Sequence, residues 1–284
     1  MNPSNEDAVP RASNERPLRI GALRYLNARP LVVGLDRHEG VEVTYEIPSL
    51  LARDLRAGRF DLALVPQVEA TRDPRYRIVR GPCVSCDGPV DSILLFSTQS
   101  FAAIRRVGVD LSSNTSVELL RALFHLRGLA IPELIEVPPR LDPLRHRGDL
   151  ELDAILLIGD RALAEDHGEF PRFDLGAIWK EETDLPFVFA VWIGRDDTPT
   201  AAVDLALRTL EENLPDRAAL AEEFCREHPD VIDVRGAHRY LRETIRYELG
   251  PRELEALLLF HRIRAEMGSV DPEWQPAFFE ESRE

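Results

Sequence analysis

The chain has 284 residues, 44% of them hydrophobic, which is enough for one large domain or for two smaller lobes with cores of their own. It carries 35 Lys and Arg against 50 Asp and Glu, so its formal net charge is −15. An acidic surface of this kind repels nucleic acid and anionic lipid, which excludes both as favoured partners. An anionic small molecule would need a local binding site.

The first segment, residues 1–17, is polar and contains proline, and it lacks the apolar run of a signal peptide. The later sequence has no apolar stretch long enough to span a membrane. We therefore expect a disordered tail over residues 1–17 and a cytoplasmic protein that does not bind membranes.

Short apolar segments alternate with helix-like segments from Leu18 to about Ile193. Strands are predicted for "LRIGAL", "VEVTYEI", "FDLALVP", "PVDSILLFS", "RRVGVD", "LIEV", "LDAILLIGD", "FDLGAIW" and "FVFAVWIG". Strands that alternate with helices predict an α/β fold with mostly parallel sheets. Two strands, near Ser97 and near Val191, are candidates for the crossings between two lobes.

After Pro199 the pattern becomes almost entirely helical. The predicted helices cover about 201–213, 215–228, 235–249 and 251–268. Pro215 and Pro251 suit the first turns of two of them, and Gly250 suits a helix end. We therefore expect a helical C-terminal region.

The three cysteines are Cys83, Cys86 and Cys225, which fits a reducing compartment. Cys83 and Cys86 form a single C-x-x-C pair. A redox or zinc role is one interpretation, but no second pair accompanies it, and the histidines show no metal-binding spacing. We favour buried structural cysteines and expect no metal site.

Polar residues stand at the boundaries of two predicted strands, and strand ends are where α/β sheets bind ligands. Asn27 follows the first strand, in "RYLNARPL", and is either a ligand-binding amide or the cap of the next helix. Ser92 lies early in the strand "PVDSILLFS". Its hydroxyl needs a partner if it is buried, and that partner is either a ligand or the neighbouring backbone.

A helix start with extra polar groups lies in "SSNTSVELLR". The spacing of Thr115 and Glu118 predicts a capping box. Ser113, Asn114 and Ser116 add polar groups beyond what a cap requires. The positive end of a helix dipole favours anions. The segment therefore suits both a helix cap and an anion-binding site, and the two roles are compatible.

The strand "LDAILLIGD" ends in Gly159 and Asp160. Gly159 would let a ligand approach the backbone, and Asp160 is either an N-cap or a carboxylate in the cleft. The sequence contains no Ser-His-Asp order, Walker loop or dinucleotide fingerprint. Residues alone thus predict a cleft of amides, hydroxyls and helix N-termini that suits a small anionic ligand.

These segments, in this order, resemble the chorismate dehydratases of the futalosine route to menaquinone. The resemblance covers about Leu18 to Gly268 and also includes "DLGAIWKEETDLPFVFAVW" and "YLRETIRYELGPRELEALLLF". It implies the two-lobed fold of type II periplasmic binding proteins. It further implies one lobe of residues 18–97 plus 190–284 and a second of residues 98–189.

The reaction implied by the resemblance converts chorismate to 3-[(1-carboxyvinyl)oxy]benzoate and water without a cofactor, which makes the chain a carbon–oxygen lyase. Aromatisation of the ring drives it, so the protein mainly orients the substrate and stabilises charge. The proton acceptor is either Asp160 or a carboxylate of the substrate. The residue roles implied by the resemblance are Asn27 and Ser92 at the reacting ring, Ser113, Thr115 and Ser116 on a carboxylate, and Gly159 and Asp160 on the opposite wall.

Two positions depart from that family's pattern. Many members carry a basic residue where this chain has Asn114, so the positive charge would come from elsewhere, with Arg24 or Arg29 as candidates. Asp184 stands where glycine is usual, which predicts a different turn.

Two other functions stay open at this stage. The same fold serves ligand-binding or sensor proteins that close on an aromatic acid without converting it. The related naphthoate synthase of the same pathway relies on a catalytic histidine in its cleft. His38, His125 and His146 do not follow strand ends in the manner that this role needs.

Overall fold

The computed structural model describes residues 16–109, 114–137, 151–164 and 171–280. The described strands are β1 (Leu18–Leu23), β2 (Val41–Glu46), β3 (Leu62–Pro66), β4 (Tyr76–Cys86), β5 (Ile93–Ser97), β6 (Arg106–Val109), β7 (Glu133–Glu136), β8 (Ala154–Ile158), β9 (Arg172–Asp174), β10 (Phe187–Arg195) and β11 (Ile245–Glu248). They form two sheets, which confirms the predicted α/β class.

The described α-helices are α1 (Arg29–Val32), α2 (Pro48–Arg56), α3 (Asn114–Leu126), α4 (Gly159–Ala164), α5 (Leu175–Thr183), α6 (Thr200–Asn213), α7 (Arg217–Glu227), α8 (Val234–Arg239) and α9 (Pro251–Glu266). Short 3-10 turns cover Leu26–Ala28, Leu35–Arg37, Gln67–Thr71 and Phe101–Ala103, and a π-helical turn covers Tyr240–Thr244. None of the helices in the described ranges is long and apolar enough to cross a bilayer.

The first sheet has six strands in the order β11-β4-β10-β3-β1-β2. β1 runs parallel to β2 and β3, whereas β10 and β4 are antiparallel to their neighbours. The central strand β3 reads "LALVP" and is buried at every position, as expected for a strand covered on both faces. β2 lies at the edge and is largely exposed.

The second sheet has five strands in the order β7-β6-β8-β5-β9. β6 runs parallel to β7 and β8, whereas β5 is antiparallel to β8 and β9. Both sheets are therefore mixed, and the expectation of mostly parallel sheets is wrong.

The chain passes between the sheets at residues 87–92 and again between β9 and β10. β5 pairs only within the second sheet and β10 only within the first, so neither strand is a crossing, contrary to the placements near Ser97 and Val191. The limits of the two lobes stay a prediction. β5 itself lies in the second sheet.

Three segments differ from the expected secondary structure. The segment after "FD" in "FDLGAIW" forms α5, whose N-cap Asp174 accepts a hydrogen bond from Ala177 N–H. β4 was not predicted at all. The expected helix over 235–249 instead contains α8, the π-helical turn and strand β11. The helices predicted near 201–213, 215–228 and 251–268 are confirmed as α6, α7 and α9 within a few residues.

Asp184 ends α5 in the left-handed conformation, with φ of 54°. A glycine adopts this conformation more readily than any other residue and is common at helix ends for that reason. The aspartate therefore keeps a helix end that suits glycine, and the expectation of a different turn has no support here.

Candidate active site

A cleft with an empty volume of about 500 Å³ lies between the two sheets. Its walls come from the ends of β1, β3 and β10 on one side and from β5, α3 and the β8–α4 junction on the other. The lining residues are Leu23, Tyr25, Asn27, Pro48, Pro66, Val84, Val90, Ser92, Ile93, Thr115, Ser116, Ile158, Gly159, Phe189 and Ala190. All four segments singled out in the sequence therefore contribute to one cleft.

Asn27 lies in the 3-10 turn directly after β1. Its side chain caps neither that turn nor α1, because the structure gives no side-chain cap bond at either start. Asn27 Oδ1 is buried and has no hydrogen-bond partner among the described residues. The alternative of a capping asparagine is thus wrong, and a buried acceptor is left on the cleft wall.

Ser92 is fully buried at the entry to β5. Its Oγ accepts a hydrogen bond of 2.6 Å from the Tyr240 hydroxyl, which lies 148 residues further along the chain. Its backbone carbonyl accepts the Gly159 N–H at 2.8 Å. The partner of the Ser92 hydroxyl is therefore a distant side chain rather than the neighbouring backbone.

Thr115 and Ser116 lie in the first turn of α3 and are buried. Thr115 Oγ1 has no hydrogen-bond partner among the described residues, so it does not form the predicted capping box. Glu118 instead forms ion pairs with Arg264 of α9 at 3.2 Å and with Arg121 at 3.8 Å. The box prediction is wrong because a buried cation from another helix attracts the carboxylate more strongly than a helix end does.

Two other residues at the start of α3, Ser113 and Asn114, were also expected to add polar groups. Ser113, a predicted carboxylate ligand, lies outside the described residues. Asn114 Nδ2 donates a hydrogen bond of 3.2 Å to Oε1 of Glu69, which is buried and paired with Arg56. Asn114 is therefore engaged with the first sheet.

Gly159 stands at the junction of β8 and α4 with φ of +60°, which favours glycine. A Cβ at this position would lie 3.3 Å from the ring of Tyr25. A side chain would thus press on Tyr25 and narrow the cleft. That a ligand approaches the backbone at Gly159 stays a prediction.

Asp160 does not line the cleft; it lines an adjoining cavity with Arg24, Tyr25, Arg161 and His228. Its Oδ1 accepts a hydrogen bond of 3.0 Å from the backbone N–H of Leu26, across the interface of the two sheets. Burial raises the pKa of Asp160 to about 6, although the Leu26 N–H and the charges of Arg24 and Arg29 oppose the rise.

The two arginines that are candidates for the positive charge have different surroundings. Arg29 forms ion pairs with Glu223 at 3.0 Å and Glu227 at 2.8 Å, both on α7. Arg24 is exposed and lines the adjoining cavity beside Asp160. Arg24 is therefore the better placed of the two to attract an anion towards the cleft.

The C-x-x-C pair lies on β4, where Cys83 and Cys86 are free and fully buried. Burial raises the pKa of Cys83 to about 12 and that of Cys86 as well, so both thiols are neutral. In the described ranges no three His, Cys, Asp or Glu residues are grouped in a way that suits a metal ion. The pair packs between β10 and β11.

Several residues that shape the cleft were not predicted from the sequence. Tyr25 and Phe189 supply aromatic walls, and Val84 and Pro66 supply apolar ones. Tyr240 stands behind Ser92 and was assigned only to a helix. Tyr25 and Pro66 stand at strand ends, so their position was readable, whereas Val84 lies within β4 and Phe189 within β10. Nothing in the sequence relates Tyr240 to Ser92.

Comparisons with known proteins agree with the geometry. A protein-family model described as menaquinone biosynthesis matches residues 18–266. The chorismate dehydratase of Thermus thermophilus is 34% identical over 216 residues, which are 68% of this chain and 76% of that protein. The chorismate dehydratase of Campylobacter jejuni is 28% identical over 181 residues, 60% of this chain and 65% of that enzyme.

Solved structures show the same fold at low identity. A protein from Archaeoglobus fulgidus matches with a TM-score of 0.72 and 17% identity, over 89% of this chain and 98% of that one. The alkanesulfonate-binding protein SsuA from Xanthomonas axonopodis pv. citri matches with a TM-score of 0.66 and 14% identity, over 92% and 96%. The predicted periplasmic-binding-protein-like fold is confirmed.

Proposed function

We propose that this chain, which belongs to the menaquinone biosynthesis family, is a chorismate dehydratase that forms 3-[(1-carboxyvinyl)oxy]benzoate and water. The 34% identity to a chorismate dehydratase over most of both chains supports this activity. This activity makes the protein a carbon–oxygen lyase that acts on a small dianion.

The reaction removes one proton and one hydroxide from the ring as water. The C–H bond next to the ether oxygen breaks, and its electron pair is delocalised towards the ring carboxylate. The neighbouring C–O bond then breaks, the hydroxide leaves with a proton as water, and the ring becomes aromatic. The two products together have the same oxidation level as the substrate, so the reaction needs no oxidant or reductant. The task of the protein is orientation and charge stabilisation.

The observation that carries the proposal is a pair of buried oxygen atoms without partners in one apolar cleft. Asn27 Oδ1 and Thr115 Oγ1 are both inaccessible and both belong to lining residues. An unpaired buried polar group costs free energy, about 1–3 kcal/mol each. Native structures tolerate such a cost where a ligand supplies the missing partner.

The two atoms suit different parts of chorismate. Thr115, together with Ser116 and the start of α3, offers a hydroxyl and a helix N-terminus to a carboxylate. Asn27 and Ser92 also line the cleft and would face the ring hydroxyl and the reacting carbons. Gly159 supplies backbone to the facing wall.

The proton acceptor is either Asp160 or a carboxylate of the substrate itself. Asp160 has a pKa of about 6, in a suitable range for a base. Its Oδ1, however, already accepts the Leu26 N–H, and its side chain lines the adjoining cavity. This arrangement favours the substrate carboxylate as base and Asp160 as a link between the cleft walls.

The direct test is incubation of the purified chain with chorismate. We expect an ultraviolet spectrum of a substituted benzoate and a product lighter than chorismate by one water. Ser92→Ala serves as the matched control and should convert chorismate much more slowly. Binding of chorismate without turnover would instead identify a binding or sensor protein. No histidine is found among the cleft-lining residues that the structure describes, which disfavours the naphthoate synthase reaction.

A further inference from the structure

Tyr240 forms a buried hydrogen-bond network behind the cleft. The residue is 2% exposed and begins the π-helical turn between α8 and β11. Its hydroxyl donates to Ser92 Oγ at 2.6 Å. The Asn27 side chain lies close enough to this hydroxyl to lower its pKa. Tyr240 thus contacts both residues proposed to act at the reacting ring, although it does not line the cleft itself.

The Tyr240 hydroxyl is a donor that stays neutral. Burial raises the pKa of Tyr240 well above its usual range, and hydrogen bonding to Ser92 and Asn27 only partly opposes this. A phenol of this kind does not act as a base near neutral pH. Its one proton is committed to Ser92 Oγ, and its oxygen accepts from a neighbour.

This network fixes the roles of Ser92 and Asn27. Because the Ser92 oxygen accepts the Tyr240 proton, the hydrogen of Ser92 can point into the cleft that Ser92 lines. Asn27 Oδ1 has no partner among the described residues, so the amide N–H groups are the atoms that can face the Tyr240 hydroxyl. Ser92 is then presented as a donor and Asn27 as an acceptor.

We propose that Tyr240 is a positioning residue that presents Ser92 as a donor and Asn27 as an acceptor to the leaving hydroxyl group of the substrate. This inference rests on the proposed dehydratase activity. An alcohol offers one hydrogen and accepts others, so it matches an acceptor next to a donor. A carboxylate offers acceptors only and would face the Asn27 oxygen unfavourably. Tyr240 therefore directs the hydroxyl, rather than a carboxylate, to this end of the cleft.

The test combines Tyr240→Phe with a matched control. Tyr247→Phe is that control, because Tyr247 is also fully buried, on β11, and its hydroxyl has no partner among the described residues. We expect Tyr240→Phe to lower kcat for chorismate roughly tenfold to hundredfold with KM changed less than about threefold. Tyr247→Phe keeps kcat within about twofold.

A double-mutant cycle separates a role through Ser92 from a general structural role. On a Ser92→Ala background, Tyr240→Phe should lower kcat by a clearly smaller factor than in the wild type, because one of the two residues that Tyr240 positions is already absent. An equal loss of kcat on both backgrounds would overturn the inference. Wild-type protein without dehydratase activity would overturn the proposed function instead, so the two failures are distinct.

Proton NMR tests the network without turnover. The buried Tyr240 hydroxyl proton should give a slowly exchanging signal downfield of the amide region. It should shift or vanish in Ser92→Ala and persist in Tyr247→Phe. This measurement does not depend on the stability of the Tyr240→Phe variant. A downfield hydroxyl signal that is unchanged in Ser92→Ala would contradict the proposed contact.

Discussion

The Asp160 carboxylate accepts a hydrogen bond of 3.0 Å from the Leu26 backbone N–H, and this bond joins the two walls of the cleft. Asp160 begins α4 after β8 of the second sheet, whereas Leu26 begins the turn after β1 of the first. Asn27, the next residue, carries the unpartnered oxygen. The bond therefore sets the position of Asn27 relative to Gly159 across the cleft.

We expect Asp160→Asn to keep kcat within about threefold of the wild type, because the amide oxygen still accepts the Leu26 N–H. Asp160→Ala should lower kcat about tenfold or more, because the turn with Asn27 loses its link to α4. Steady-state kinetics with chorismate measure both. Equal and large losses of kcat in the two variants would identify Asp160 as the base.

Asp160 should also make stability depend on pH. Its folded-state pKa of about 6 lies above the unfolded value of about 3.9, so its contribution to stability is complete below about pH 4 and is lost as pH rises through about 6. Asp160→Asn stays neutral at every pH. Relative to wild type, the variant should therefore gain about 2–3 kcal/mol in free energy of unfolding between pH 4 and pH 7.

Urea unfolding of wild type and Asp160→Asn at several pH values measures this difference. Other carboxylates titrate equally in both proteins, so their effects cancel in the comparison. Asp61, for example, has a pKa held low by hydrogen bonds from Arg16 and Arg19 despite its burial. A difference in free energy that does not change with pH would contradict the buried, raised-pKa state of Asp160.

Thr115→Val should separate binding from stability. The Thr115 hydroxyl has no partner among the described residues, so its loss should leave the free energy of unfolding unchanged or raise it by up to about 1 kcal/mol. KM for chorismate should rise about tenfold, because a carboxylate loses one hydrogen bond.

The matched control is Thr209→Val. Thr209 is also buried, but its hydroxyl donates to the Leu205 carbonyl at 2.8 Å within α6, away from the cleft. This variant should leave KM unchanged. An unchanged KM in Thr115→Val would remove Thr115 from the carboxylate site.

The cleft was largely readable from sequence because it is built at strand ends. Asn27, Ser92 and Gly159 each stand at a strand boundary, and parallel or adjacent strands bring such boundaries together. What could not be read was the choice of partner. Glu118 had the spacing of a cap, but Arg264, 146 residues away, is buried beside it and takes the carboxylate instead.

Strand β11 is a part of the fold that could not be predicted from the sequence alone. The segment from Tyr240 to Glu248 contains good helix formers, and it was predicted as helix. Ile245 and Tyr247 are buried while Arg246 and Glu248 are exposed, a period-two pattern too short to outweigh helix propensity locally. Pairing with β4 at the sheet edge decides the outcome, and only tertiary structure reveals that edge.

Asn27→Ala should lower kcat about tenfold to hundredfold, because the variant loses both the acceptor in the cleft and the contact with Tyr240. Asn213→Ala is the control. Asn213 Nδ2 donates to the carbonyls of Pro30 at 3.3 Å and Val33 at 2.8 Å, so its loss should lower the unfolding midpoint and leave kcat unchanged. A normal kcat in Asn27→Ala would exclude the assigned role.

The last prediction concerns the charge that Asn114 does not supply. Arg24→Gln should raise KM for chorismate several-fold at low salt, and the effect should shrink as ionic strength rises, because the chain carries a net charge of −15 and Arg24 lines the adjoining cavity. Arg29→Gln should instead lower the unfolding midpoint and leave KM unchanged, because Arg29 is paired with Glu223 and Glu227. Steady-state kinetics of both variants over a series of salt concentrations show which arginine supplies the charge. If Arg29→Gln alone raises KM, then Arg29 supplies the charge and Arg24 does not.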